Sequence, residues 1–135
     1  MLLRLFFANH INRKITLTKM ENKEKNICIT LPMTIDWSEY DKELEQVADY
    51  KKVMNFKVPF LPKSEDRKLI KKCYLLYKGN VIGWMDVFGF VDDQNFVCDT
   101  TGKNWSGKFI QRSGPFHKID PISMKGFRGF RYVDF

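Results

Sequence analysis

The sequence predicts one α+β domain, in which a single helix packs on several short strands. Three patterns support this class: a helical pattern from about 37 to 50, a strand–turn–strand pattern from 73 to 91, and glycines confined to the region from Gly79 to Gly129. The length of 135 residues fits one domain, and a hydrophobic content of 44% is sufficient for a packed core. No run approaches the roughly 20 apolar residues of a membrane-spanning helix, so we expect no membrane insertion.

The first nineteen residues differ in composition from the rest of the chain. They contain basic residues and no acidic ones, but their order of charged and apolar residues does not match a signal peptide. Met20 is followed by a polar stretch and then by a strand-like segment. We therefore expect residues 1–19 to be an extension that is disordered or not native, and residues 20–135 to form the domain.

The first strand and the helix are predicted by their residue patterns. The β-branched segment Ile27–Leu31 is typical of a strand, and Pro32 limits it. Asp36 can cap a helix start. The apolar residues that follow recur at intervals of three and four, which places them on one helical face, so we expect a helix from about Trp37 to Tyr50.

The middle of the chain predicts an edge strand and a hairpin. Val53–Leu61 is partly strand-like but contains prolines, and the charged segment Lys63–Lys72 suits a connection or a short helix. Cys73–Tyr77 predicts a buried strand, Lys78–Asn80 a tight turn, and Val81–Val91 the returning strand. The glycines of that second strand suit bulges.

The last third predicts further short strands separated by turns. We expect turns at Asp92–Asn95 and Ser113–Pro115, and a polar loop at Thr100–Lys108. Apolar segments between and after them suit strands. One helix and five to seven short strands therefore predict an α+β fold or a small barrel with helical insertions.

The charge is concentrated at the two ends of the chain. The net charge is +7, but residues 26–99 carry ten basic and twelve acidic residues, whereas residues 100–135 carry seven basic and two acidic. A basic region raises the expectation of an anionic partner such as RNA or DNA.

The segment from 100 to 118 is the candidate nucleic-acid site. It interleaves cations, which neutralise phosphates, with aromatic rings, which stack bases. We predict a nucleic-acid-binding set made of Lys103, Trp105, Lys108, Arg112 and Lys118, with Trp84 as a second stacking residue. The alternative interpretation is a glycine-rich hairpin whose aromatic residues fill the barrel.

No catalytic, metal or cofactor site is predicted from the residues. Cys28, Cys73 and Cys98 are far apart, with no Cys-x-x-Cys pair, so we expect buried reduced thiols in a cytoplasmic protein. The spacing of Gly102 and Gly107 resembles a phosphate-binding loop, but Phe109 stands where that loop needs Ser or Thr.

The second half resembles the PUA-like superfamily, which includes the PUA, ASCH, EVE and YTH domains. The resemblance spans about residues 27–135 and is carried by the hairpin KCYLLYKGNVIGWMDVFGF, the polar loop after it and the ending KGFRGFRY. It implies a small mixed β-barrel with the helix packed on it, and binding of RNA or DNA, often of a modified or flipped base in an aromatic pocket. The ASCH Gly-x-Lys-x-x-Glu signature is missing, because neither Gly102-Lys103 nor Gly107-Lys108 is followed by the Glu.

Two other functions remain open at this point. A small chain of mixed charge also suits a protein-interaction or inhibitor factor of a mobile element, with a protein as its partner. The resemblance to ASCH domains leaves a nucleoside or nucleotide hydrolase, which would need a pocket holding a Lys, a Thr and a carboxylate together.

Overall fold

The computed structural model describes residues 23–135, and the prediction for residues 1–19 lies outside that range. More than half of the described residues are in strands, and two helices accompany them, so the predicted α+β class is confirmed. In chain order the elements are β1 (Lys25–Thr30), α1 (Trp37–Val47), β2 (Met54–Lys57), α2 (Ser64–Arg67), β3 (Ile70–Tyr77), β4 (Asn80–Val97), β5 (Asn104–Ser123) and β6 (Phe130–Val133).

The six strands form one mixed sheet that curls into a half-barrel. Their order is β2-β5-β4-β3-β1-β6, so β2 and β6 are the two edges. Only the pair β1–β3 is parallel, and the segment containing α1, β2 and α2 makes the crossover that a parallel pair requires. The segment after β2 reaches the opposite edge, where the Phe60 and Phe130 ring centroids lie 5.5 Å apart.

Helix α1 begins where the sequence predicts, but it ends three residues before the predicted end. The Asp36 side chain accepts a hydrogen bond from the Ser38 backbone N–H at 3.0 Å and caps the first turn. The predicted end at Tyr50 is wrong, because the helix stops at Val47 and Tyr50 has a φ of 65°. Tyr50 instead packs over Gly114 and donates its hydroxyl to Asp86, a long-range contact that no helix pattern can reveal.

Two predicted turns are irregularities within long strands. The predicted turn at Asp92–Asn95 lies inside β4, where the pairing register shifts between Asp92 and Gln94 and Asp93 has a φ of 54°. The predicted turn at Ser113–Pro115 lies inside β5, where Gly114 has a φ of 85°. A β-bulge uses the same residue types as a turn but bends the strand instead of reversing it, so β4 and β5 are long and curved.

The real reversal between these strands is shorter than the predicted polar loop. It is closed by backbone hydrogen bonds from Cys98 to Lys103 at 2.9 Å and from Gly102 to Cys98 at 2.8 Å. Strand β5 therefore begins at Asn104, and Trp105 belongs to a paired strand opposite Phe96.

The curled sheet has two differently covered faces. We call the face that packs against α1 the inner face; Ile27, Ile29 and Leu75 lie there with Leu44 and Val47 of the helix. The other face, here called the outer face, carries a smaller cluster of Cys28, Tyr74, Leu76 and Val81. Because neighbouring residues of a strand point to opposite faces, β1 and β3 contribute to both.

Candidate functional site

An open cleft lies between α1 and the inner face of the sheet. Its volume is about 320 Å³, and α1, β2, the β4–β5 turn and β5 all line it. Aromatic side chains from three of these elements face it: Tyr40, Phe56 and Trp105. Polar side chains at the cleft include Glu43, Asn55, Lys57, Thr101 and Arg112.

Arg112 is the buried polar group of this cleft. Only 2% of the residue is exposed, and its Nη1 donates a hydrogen bond of 2.7 Å to the Tyr40 hydroxyl. Among residues 23–135, its Nε has no hydrogen-bond partner. Burial lowers the pKa of this guanidinium, but Tyr40, Cys73 and Glu43 outweigh that effect and raise the pKa above its usual value. Arg112 is therefore a buried cation in the lining of the cleft, and its Nε is covered and unpaired within the described part of the chain.

The position of Arg112 follows from strand alternation. Arg112 pairs with Met54 of β2 and Val87 of β4, and Ile110, two residues earlier, lies in the inner-face core. Arg112 therefore points to the same side as Ile110, toward α1. Because it is buried, Arg112 is separated from the lysines that were predicted to bind nucleic acid together with it. A role in binding phosphate at the surface does not fit this position.

Trp105 forms a wall of the cleft from β5. It is half-buried, and its ring stacks on Phe109 with a centroid distance of 5.3 Å and an interplanar angle of 29°. Phe96 meets the same ring edge-on at 6.4 Å. These contacts hold the indole in place without covering it fully, an arrangement suited to stacking a flat ligand.

The electrostatic character of the cleft is mixed. Asp36, Glu39 and Glu43 contribute carboxylates from the helix side, whereas Lys57 and Arg112 contribute cations from the sheet side. Glu43 accepts a hydrogen bond of 3.1 Å from the Thr100 hydroxyl. The cleft is thus suited to a ligand that carries both acceptors and donors, and it is not a purely basic pocket.

The other predicted cations do not join this cleft. Lys108 is bound by two carboxylates, with Asp92 at 3.1 Å and Asp93 as its second partner. Hydrogen bonds to these two carboxylates raise the pKa of Lys108. Lys103 is exposed in the β4–β5 turn, and Lys118 is exposed on the distant part of β5. The three lysines therefore form no common patch with Arg112.

Trp84 lies apart from Trp105, packed against the outer-face cluster. It stacks on His117, with the ring centroids 3.9 Å apart, and the Lys72 Nζ lies 4.4 Å from its ring centre. Of the two predicted stacking residues, only Trp105 borders the cleft with Arg112.

Several cleft residues were absent from the sequence-based prediction. Tyr40 belongs to the apolar spacing that predicts the helix, and Glu43 lies among the charged residues between those apolar positions. Lys57 and Asn55 come from the short edge strand β2. No sequence signal identifies them, because the curl of the sheet brings these separate elements together.

The three cysteines are free and buried, as the sequence predicts. Burial raises the pKa of Cys28 and of Cys73 to about 12. Burial also raises the pKa of Cys98, but hydrogen bonds from Thr100 and Thr101 outweigh it, and the pKa is lowered. Within residues 23–135, no group of three His, Cys, Asp or Glu residues is placed to hold a metal ion. No helix in that range is both long and apolar enough to cross a bilayer.

No protein-family model matches the chain, and comparisons with curated proteins and with solved structures give no significant match.

Proposed function

We propose that this protein is a nucleic-acid-binding module that takes an extruded base into the cleft between α1 and the sheet. The base stacks on Trp105, and its polar edge reaches Arg112. The observation that carries this proposal is the unpartnered Nε of Arg112, buried beside an aromatic-walled cleft. A buried donor without a partner costs about 1–3 kcal/mol, and a ligand acceptor would remove that cost.

The size and shape of the cleft support a small flat ligand. Ligand pockets span roughly 300–1,000 Å³, and a cleft of about 320 Å³ lies at the lower end of that range. Tyr40, Phe56 and Trp105 provide apolar walls, so a single base fits better than a bulky ligand. Proteins that act on or read a single base take it out of the stack into such pockets.

The polar groups of the cleft complement the edge of a base. Arg112 can donate to a ring nitrogen or carbonyl oxygen, and Glu43 can accept from an amino group. Nucleobases carry acceptors and amino donors side by side, so one edge can meet both residues. A phosphate, in contrast, would meet the three carboxylates of the helix side and be repelled.

The test compares Trp105→Ala with Phe88→Ala for binding of short single-stranded RNA and DNA. Phe88 is 63% exposed and lies outside the cleft lining, so it is a matched aromatic control. We expect Trp105→Ala to weaken binding by about 1–3 kcal/mol, the usual value of one stacked base, and Phe88→Ala to leave it unchanged. Wild-type protein that binds neither RNA nor DNA at low salt would contradict the proposal.

A second variant tests the role of the buried guanidinium. Arg112→Lys keeps the charge but removes the Nε donor that faces no partner. We expect it to weaken binding of a free nucleoside as well as of an oligonucleotide, since the contact is to the base. Unchanged nucleoside affinity in a folded Arg112→Lys variant would remove Arg112 from the site.

A second candidate function is hydrolysis of a nucleoside or nucleotide. One observation favours it: Lys57, Thr101 and Glu43 line the same cleft, and a Lys, a Thr and a carboxylate are the combination that the resemblance to ASCH domains implies for this activity. Incubation with a panel of nucleosides and nucleotides, followed by chromatography, tests it directly. Turnover that disappears in Lys57→Met would support the hydrolase, and no turnover of any compound in the panel would reject it.

A further inference from the structure

A second groove lies between the two edges of the curled sheet. Its volume is about 410 Å³; one wall is the end of β2 with the residues after it, and the other is the segment that leads into β6. Lys57 and Arg128 are its charged residues, and no carboxylate lines it. In this respect it is the opposite of the α1 cleft, where three carboxylates line one side.

The two cations that line this groove have no carboxylate partner in the described part of the chain. Neither Lys57 nor Arg128 forms an ion pair with any of residues 23–135, whereas Lys108 is held by two carboxylates. Arg131 lies outside the lining of the groove, but its guanidinium is 4.6 Å from the ring centre of Phe127, which is a wall of the groove. The groove therefore combines unpaired positive charge with aromatic surface.

The segment that carries Arg128 is held against the sheet. The Phe127 backbone N–H donates to the Thr30 hydroxyl at 3.1 Å, and Phe130 then pairs with Ile29 of β1. Arg128 thus lies between two attachment points, and its backbone position is set by the fold.

The groove and the α1 cleft share a wall. Phe56 and Lys57 line both, so the cleft and the groove adjoin at the end of β2, the one suited to an uncharged group and the other to an anion. A nucleotide has this form, with an uncharged base joined to a charged backbone. The acidic side of the cleft excludes phosphate, and the basic groove beside it attracts phosphate.

We infer that the edge groove holds the phosphodiester backbone next to the extruded base, with Lys57 and Arg128 on the phosphates and Arg131 adding to the local positive charge. This inference rests on the function proposed above and names the path of the strand. It assigns the backbone contacts to residues that differ from Lys103, Lys108 and Lys118, the lysines that the sequence predicts for that role.

The test measures the affinity of a short single-stranded oligonucleotide as a function of salt concentration. Three proteins are compared. They are the wild type, a groove variant with Arg128→Gln and Arg131→Gln, and a control variant with Lys103→Gln and Lys118→Gln. The two variants remove the same number of positive charges. Each lost phosphate contact lowers the log–log salt slope by about 0.7 for a single strand, so we expect a lower slope only in the groove variant. Binding of a free nucleoside, which has no phosphate, should be unchanged in both.

The outcomes separate this inference from the proposed function. Oligonucleotide binding that depends on Trp105 but keeps its slope in the groove variant would overturn the backbone path and leave the base cleft intact. An equal loss of slope in the control would show general charge attraction and also overturn the path. Tight binding of poly-glutamate, lost in the groove variant, would assign the groove to an acidic protein instead. Wild type without any oligonucleotide binding would overturn both proposals.

Discussion

Trp84 on β4 and Trp105 on β5 are both half-buried, yet their surroundings differ. Trp84 stacks on His117, and the Lys72 ammonium lies over its ring, so both of these neighbours contact the indole within the molecule. Trp105 borders a cleft in which the Arg112 Nε has no partner among residues 23–135. Aromatic and basic residues close together therefore do not by themselves indicate a site. An unsatisfied buried donor beside an open cavity is the more specific sign.

The largest expected effect comes from filling space next to Trp84. A Cβ on Gly83 would lie 2.4 Å from the His117 backbone oxygen and 2.4 Å from the Phe116 ring. Backbone cannot move away as a flexible side chain can, so Gly83→Ala should destabilise the fold by about 3 kcal/mol. Urea unfolding measures this, with Gly89→Ala, whose Cβ would meet only the Gln111 side chain at 3.6 Å, as the control. Equal stability of the two variants would contradict the close packing at Gly83.

The next effect compares the two tryptophans directly. Trp84→Ala removes a ring packed against the outer-face cluster and should cost about 2 kcal/mol of stability. Trp105→Ala should cost less, about 1 kcal/mol, because one side of its ring borders the cleft. Thermal unfolding of both variants checks the order. A reversed order would mean that Trp105 is the structural residue of the two.

A smaller effect is expected when the buried pair in the cleft is made apolar. The double variant Arg112→Met with Tyr40→Phe removes the guanidinium together with the hydroxyl that it binds. Replacing a buried charged group by apolar residues of similar volume is often neutral or stabilising. We therefore expect the free energy of unfolding to stay the same or to rise by up to about 1 kcal/mol. Ligand binding should nevertheless be lost. A marked loss of stability would instead show that Arg112 serves the fold and not a ligand.

The smallest effect concerns a half-buried carboxylate whose hydrogen-bond partners lie within the molecule. Asp66 accepts hydrogen bonds from Lys25 at 2.7 Å and from Tyr132 at 3.0 Å, and these bonds hold the pKa of Asp66 below its usual value. The ionised Asp66 carboxylate therefore stabilises the fold at a pH above the pKa that Asp66 has in the unfolded chain. This stabilisation is lost as the pH falls through the lower pKa of Asp66 in the folded protein. In Asp66→Asn, the free energy of unfolding should fall slightly less steeply at acidic pH than it does in the wild type. The reference is Asp120→Asn, an exposed carboxylate that forms no ion pair with residues 23–135. If the stability of Asp66→Asn falls as steeply at acidic pH as that of the wild type, this account is contradicted.

Much of the fold was predictable because its signals are local. The start of α1 follows from Asp36 and the apolar spacing after it, and the β3–β4 hairpin follows from Lys78-Gly79 between two apolar runs. The errors at Asp92–Asn95 and Ser113–Pro115 have one cause. A bulge and a turn use the same residue types, and only the partner strand determines whether the chain bends or reverses.

The candidate site was predictable only in part. Trp105 and Arg112 were selected from sequence, but Tyr40, Glu43, Asn55, Lys57 and Arg128 were not, because each has an ordinary local role in its helix, strand or loop. The amino-acid sequence by itself determined the α+β class, the start of the helix, the main hairpin and the positive charge of the last third. Only the tertiary structure decided which of those charges are paired, which is buried and which line a groove. Pairing and burial depend on contacts between residues far apart in the chain, and the curl of the sheet creates those contacts.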